Sequence, residues 1–160
     1  MNKALLRQCV LKQLEADRDA AVQAAKVAHE TATAEENIAE NKYDTLGLEA
    51  AYLAAGQSRR VVEITQAIQR LEQLTWRDYA PEHGVDLGVL VQLEDARHKQ
   101  RWLLLLPDAA GLTCSFAGHQ VLLVSPQSPM GQALRGRVIG DEVLIATGAS
   151  SQRFELLQAY

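Results

Sequence analysis

Apolar residues recur at three- and four-residue steps from Asn2 to about Leu74, and after Gly84 they come in short blocks divided by turn residues. The first period is helical and the second is that of strands. A first helix is expected from Asn2 to about Glu30. Val10, Leu14, Asp17, Ala21, Ala24 and Ala28 fall on one stripe, large at its start and tapering to alanine. Leu11 and Leu14 begin an adjacent stripe, so the register stays open. Thr33-Ala-Glu-Glu36 reads as a capping box that opens a second helix. That helix runs to about Leu74 with a buried stripe of Leu46, Ala50, Leu53, Gln57, Val61, Ile64, Ile68 and Leu71. Gly47 and Gly56 read as close-packing points within it. Roughly 40 residues at about 1.5 Å each make a rod of about 60 Å. A short turn between two such helices predicts an antiparallel coiled-coil hairpin, over 1–76, with its tip near 31–40.

Residues 77–84 form a linker, where Pro81 and Gly84 end the helical period. Strands are expected at Leu87–Leu93, Arg101–Leu106, Val121–Val124, Glu142–Ala146 and Arg153–Gln158. One short helix interrupts them, with Ser128 as N-cap, Pro129 at the first position, Leu134 as buried anchor and Gly136 as stop. The class is α+β: a helical hairpin, then a small antiparallel sheet with one helix over 85–160.

Composition narrows the function. The net charge of −4 argues against bulk binding to nucleic acid, which needs a basic footprint. No window approaches the roughly 18 continuous apolar residues of a membrane span, and the start lacks the apolar core of a signal peptide. No membrane association and a cytoplasmic location are therefore expected. Cys9 and Cys114 are isolated, which speaks against a zinc site or a disulfide framework. No nucleophile–base pair or phosphate loop appears.

The tip carries the chemistry. Glu30, Glu35, Glu36, Glu40 and Asp44 stand there against a single Lys42. The bland reading is a solvated helix start, where carboxylates suit the dipole. It fits Glu35 and Glu36 better than Glu40 and Asp44. Glu36, Glu40 and Asp44 step by four and would share one helix face. Like charges at that spacing destabilise a helix slightly, so the face is a candidate for meeting a cation.

At this point the residues resemble a family: the GreA/GreB transcript-cleavage factors of bacterial RNA polymerase. Gly88-Val-Leu-Val-Gln-Leu-Glu-Asp95 is similar to the family's first sheet strand. Val121-Leu-Leu-Val-Ser-Pro-Gln-Ser-Pro-Met-Gly-Gln-Ala-Leu134 is similar to its strand–loop–helix, and Gly140-Asp-Glu-Val143 and Arg153-Phe-Glu-Leu-Leu157 complete the match. Glu40-Asn41-Lys42-Tyr43 is similar to the family's acidic tip. The resemblance implies an FKBP-like C-terminal domain docked at the rim of the polymerase secondary channel, with the hairpin reaching the active site. It implies a non-enzyme that assists Mg²⁺-dependent cleavage of backtracked RNA by the polymerase. Glu36 and Glu40 would be the tip carboxylates, sharing Mg²⁺ transiently with the polymerase. No tightly bound cofactor is expected. Gln127, Ser128, Pro129 and Met130 would contact the polymerase. Indirect contact with nascent RNA and a monomeric state complete the picture.

The tip departs from the family's cleavage-competent Gly-Asp-x-x-Glu-Asn pattern. Either Glu40-Asn41 or Glu36-Asn37 takes the Glu-Asn place, and in both placements the aspartate is absent. An alternative is therefore a Gre-like channel regulator without cleavage activity, acting as inhibitor or remodeller. A coiled-coil adaptor and a prolyl isomerase built on the sheet are further rivals.

Overall fold

The computed structural model describes residues 2–34, 38, 45–147 and 150–160. Helix α1 covers Lys3–Thr33 and α2 covers Leu46–Gln73. Asn2 caps α1: its side-chain oxygen accepts the Leu5 N–H at 3.2 Å. Thr33 does not open the second helix as expected. It closes α1, its hydroxyl donating to the His29 carbonyl at 2.9 Å, which is the back-bonding alternative open to a threonine on a helix. Thr45 precedes α2 instead, with its hydroxyl donating to Glu49 at 2.9 Å.

The chain divides into two compact units, Leu11–Gln69 and a unit of Met1–Val10 with Arg70–Tyr160. In the first unit the two helices run side by side. Asp17, Ala20 and Ala21 share a cleft with Gln57 and Arg60. The seam on α2 is Gly47, Ala50, Ala54, Gln57, Val61, Ile64 and Ile68, each buried or half-buried, in strict steps of three and four. Leu46 and Leu53, expected on this stripe, are 50% and 56% exposed. Ala54 and Gly47 take the inward places, so small side chains line the seam there. On α1, Leu14, Ala21 and Ala28 are buried as expected, while Ala24 is exposed and Ala25 half-buried in its place.

The second unit is built on a six-stranded sheet. Its strands are β1 (Leu90–Asp95), β2 (Gln100–Leu105), β3 (Thr113–Phe116), β4 (His119–Val124), β5 (Glu142–Thr147) and β6 (Ser150–Ala159), in the order β3-β4-β2-β1-β6-β5. The α+β class is as expected, but the sheet is mixed: β2 and β4 run parallel. The unexpected β3 causes this, because it pairs antiparallel with β4 and turns the chain once more before β4 begins. Its hairpin closes on Ala117 and Gly118, both at positive φ, the geometry of a two-residue primed turn.

The core covers one sheet face. Val91, Leu93, Leu103, Leu105, Val143, Ile145, Phe154 and Leu156 meet Leu134 of the short helix α3 (Pro129–Leu134). On the other side of β2, Trp102 is buried between the rings of His119 and Tyr160, at 5.0 and 6.1 Å. The start of α1 belongs to this unit: Leu6, Val10 and Leu71 are fully buried, Lys3 donates to the Arg77 carbonyl and Arg7 to that of Glu72. Burial lowers the Lys3 pKa, opposed by Asp78 at 3.5 Å. Arg70 closes a bidentate pair on Asp108 at 2.6 and 2.9 Å. Cys9 and Cys114 are free thiols. Burial, helped by Cys9, pushes the Cys114 thiol up to about 12, so it is held protonated and unreactive. No described helix is long and apolar enough to cross a membrane.

Candidate docking turn and acidic tip

The turn ahead of α3 is over-determined by hydrogen bonds. Ser128 sits in extended backbone and caps the helix, its hydroxyl oxygen accepting the Gly131 N–H at 3.0 Å. The same hydroxyl donates to the Ser125 carbonyl at 2.7 Å. The Ser128 N–H meets the Ser125 hydroxyl at 3.2 Å, and the Gln132 side chain donates to the Gln127 carbonyl at 3.0 Å. Pro129 follows at the first helical position, where no donor is lost.

The four expected contact residues therefore play different parts. Gln127 and Pro129 are exposed. Ser128 and Met130 are half-buried, and Met130 packs on the core. The Ser128 proton and one lone pair are both used internally. The structure thus brings Gln127 and Pro129 to the surface and makes Ser128 the frame that holds them. Gly131 completes that frame. A Cβ on Gly131 would stand 2.0 Å from the Ser125 carbonyl oxygen, so only glycine lets the loop close this tightly. The signal for this was present in Ser128-Pro-Met-Gly131, where glycine occupies a helix interior at a cost of about 1 kcal/mol.

Glu36, Glu40 and Asp44 lie outside the described residues, as does the Glu40-Asn41-Lys42-Tyr43 segment. Among the described residues no group of histidine, cysteine and carboxylate side chains could hold a metal ion, and His29 is simply exposed on α1. Asp17, the polar break in the α1 stripe, accepts from Gln13 at 3.1 Å and faces the shared cleft with Gln57 and Arg60. Tyr79 packs on the sheet core, and its hydroxyl accepts the Ile139 N–H at 3.2 Å. Tyr79 therefore fixes the strand-connecting segment after α3.

No protein-family model matches the chain. The transcription inhibitor protein Gfh1 of Thermus aquaticus is 28% identical over 152 residues, covering 92% of this chain and 88% of its own. Gfh1 of Thermus thermophilus is 27% identical over the same shares. Among solved structures, Thermus aquaticus Gfh1 aligns at 25% identity and a TM-score of 0.42, covering 93% of this chain and 90% of its own. A GreA/GreB elongation factor from Nitrosomonas europaea aligns at 17% identity and a TM-score of 0.38, covering 60% and 78%. The order of helices and sheet along the chain and the Ser-Pro turn that opens α3 agree with the resemblance read from the sequence, and over 92% of its length the chain is similar to Gfh1.

Proposed function

We propose that this chain binds bacterial RNA polymerase and regulates it from the secondary channel without promoting transcript cleavage. The observation that carries this is the similarity, across 92% of the chain, to proteins named as transcription inhibitors. The tip agrees, since it lacks the aspartate of the cleavage-competent pattern in either placement. The chain itself performs no reaction; it alters one performed by the polymerase.

Docking would run through Gln127 and Pro129, which the Ser128 cap and Gly131 hold on the surface. Glu36 and Glu40 would act at the polymerase active site, where carboxylates are the ligand type that Mg²⁺ accepts. A second reading keeps cleavage support. Glu36 has a longer reach than the missing aspartate and could replace it beside Glu40.

Binding tests the proposal. The native chain should bind core polymerase at micromolar concentration, and Gln127→Ala with Pro129→Ala should weaken it about tenfold. No binding by the native chain would remove the proposal. Undiminished binding by the doubly substituted chain would move the docking surface elsewhere.

A further inference from the structure

The turn between β1 and β2 builds a second site, unrelated to the tip or to Ser128. Asp95, Ala96, Arg97, Lys99, Arg101, Gln152 and Arg153 line an open cleft of about 640 Å³. Four of its side chains are cations in a chain whose net charge is −4. From this clustering we propose that the cleft binds closely spaced phosphates, as in a short polyphosphate, free or carried on a nucleoside.

The turn is rigid where it needs to be. Asp95 accepts the backbone N–H groups of Arg97 at 2.8 Å and Lys99 at 2.9 Å. The chain closes through the His98 N–H on the Asp95 carbonyl at 2.9 Å, with His98 at positive φ. The Asp95 carboxylate, the one acid in the lining, is thus engaged by its own turn. Its pKa is lowered by the Lys99 and Arg97 N–H groups and then by the nearby arginines. Arg101 is held with its guanidinium 5.4 Å from the Phe154 ring centre. Arg153 pairs with Glu142 at 3.1 Å. Among the described residues, neither Arg97 nor Lys99 forms an ion pair, and both are exposed. Their placement adds two exposed cations to a lining whose one acid, Asp95, is already bonded by the turn's own N–H groups.

The surroundings select a compact anion over a strand. A neighbouring cleft shares Asp95, Ala96 and Arg153 but is otherwise lined by Glu94, Glu142 and Glu155, with His98. Those three glutamates stand opposite one another across β1, β6 and β5. A nucleic-acid strand leaving the basic cleft in that direction would meet them and be repelled, whereas strand binding requires a continuous basic groove. A polyphosphate keeps its charges within the reach of three arginines and a lysine. Arginine forks suit phosphate oxygens.

Titration of the full chain followed by amide NMR tests this, with sodium tripolyphosphate, ATP and a short single-stranded RNA as probes. Saturation with tripolyphosphate below about 1 mM is expected, with shifts at residues 95–101 and 152–153. Arg97→Gln and Lys99→Gln, both on the exposed turn, should each weaken it about tenfold. Arg59→Gln, on α2, should change nothing. Tighter binding of ATP would assign the phosphates to a nucleotide, and equal binding would assign the site to phosphates alone; both uphold the proposal. No saturable binding, equal binding by the turn variants, or preferential binding of RNA would overturn it.

Discussion

The two units bury different things. In Leu11–Gln69 the buried side chains are mostly alanine, with Leu14, Ile64 and Ile68 the large exceptions. In the sheet unit they are leucine, valine and phenylalanine, many below 2% exposed. An alanine seam removes little apolar area, so a hairpin of this kind depends on helix propensity and on a few large anchors. The sheet unit fixes its backbone by pairing across all six strands and then uses it to hold short turns in one conformation. Small buried side chains are the property of one unit and hydrogen-bonded turns that of the other.

This contrast can be broken most sharply at Gly131. Gly131→Ala should destabilise the sheet unit by about 3 kcal/mol, since backbone rather than a flexible side chain opposes the added methyl. Thermal unfolding checks it, and an unchanged transition would show that the Ser125 turn opens freely. Leu134→Ala should cost about 3 kcal/mol by leaving a cavity in the same core. On the hairpin the same truncation depends wholly on the seam. Ile64→Ala should cost about 2 kcal/mol, while Leu53→Ala, at an exposed position, should stay within about 0.5 kcal/mol. Equal losses at the two sites would restore Leu53 to the seam and refute the register given above. Ser128→Ala should cost about 1 kcal/mol as a lost N-cap, and should weaken polymerase binding more than it weakens the fold.

The smallest effect concerns pH. His98 bonds Glu94 at 2.9 Å. Glu94 raises the His98 pKa, while His98 and then Gln100 lower that of Glu94. The His98 contribution is complete below its unfolded value of about 6.5 and fades as pH rises through the raised folded value. The Glu94 contribution is complete above about 4.3 and fades as pH falls through the lowered folded value. The pair is therefore strongest between those two values. Glu94→Gln should return the His98 titration, followed by NMR, to the ordinary histidine range. An unmoved titration would mean that the contact does not persist in solution.

Much of this was legible in the sequence. The change of period marked the passage from helices to strands, and Ser128, Pro129, Leu134 and Gly136 marked α3, because caps and stops are local chemistry. The misreadings have physical causes. Thr33 satisfied a capping pattern but could equally bond back to His29. Leu46 and Leu53 looked like seam residues because leucine is hydrophobic, whereas Gly47 and Ala54 are the residues turned inward. Strand β3 escaped because Thr113-Cys-Ser-Phe116 is short and half polar, and with it went the parallel pairing of β2 and β4. At the turn before α3 the cap residues were identifiable, but the inward use of the Ser128 hydroxyl needed the Ser125 carbonyl in view. That partner comes from a bend which no periodicity predicts.

The most direct test follows single-nucleotide addition and RNA cleavage together, in stalled backtracked polymerase complexes with Mg²⁺. The native chain should slow addition and leave cleavage at its basal rate, and Glu36→Ala with Glu40→Ala should relieve the slowing. Rapid cleavage that these substitutions abolish would contradict the account and make the chain a cleavage factor.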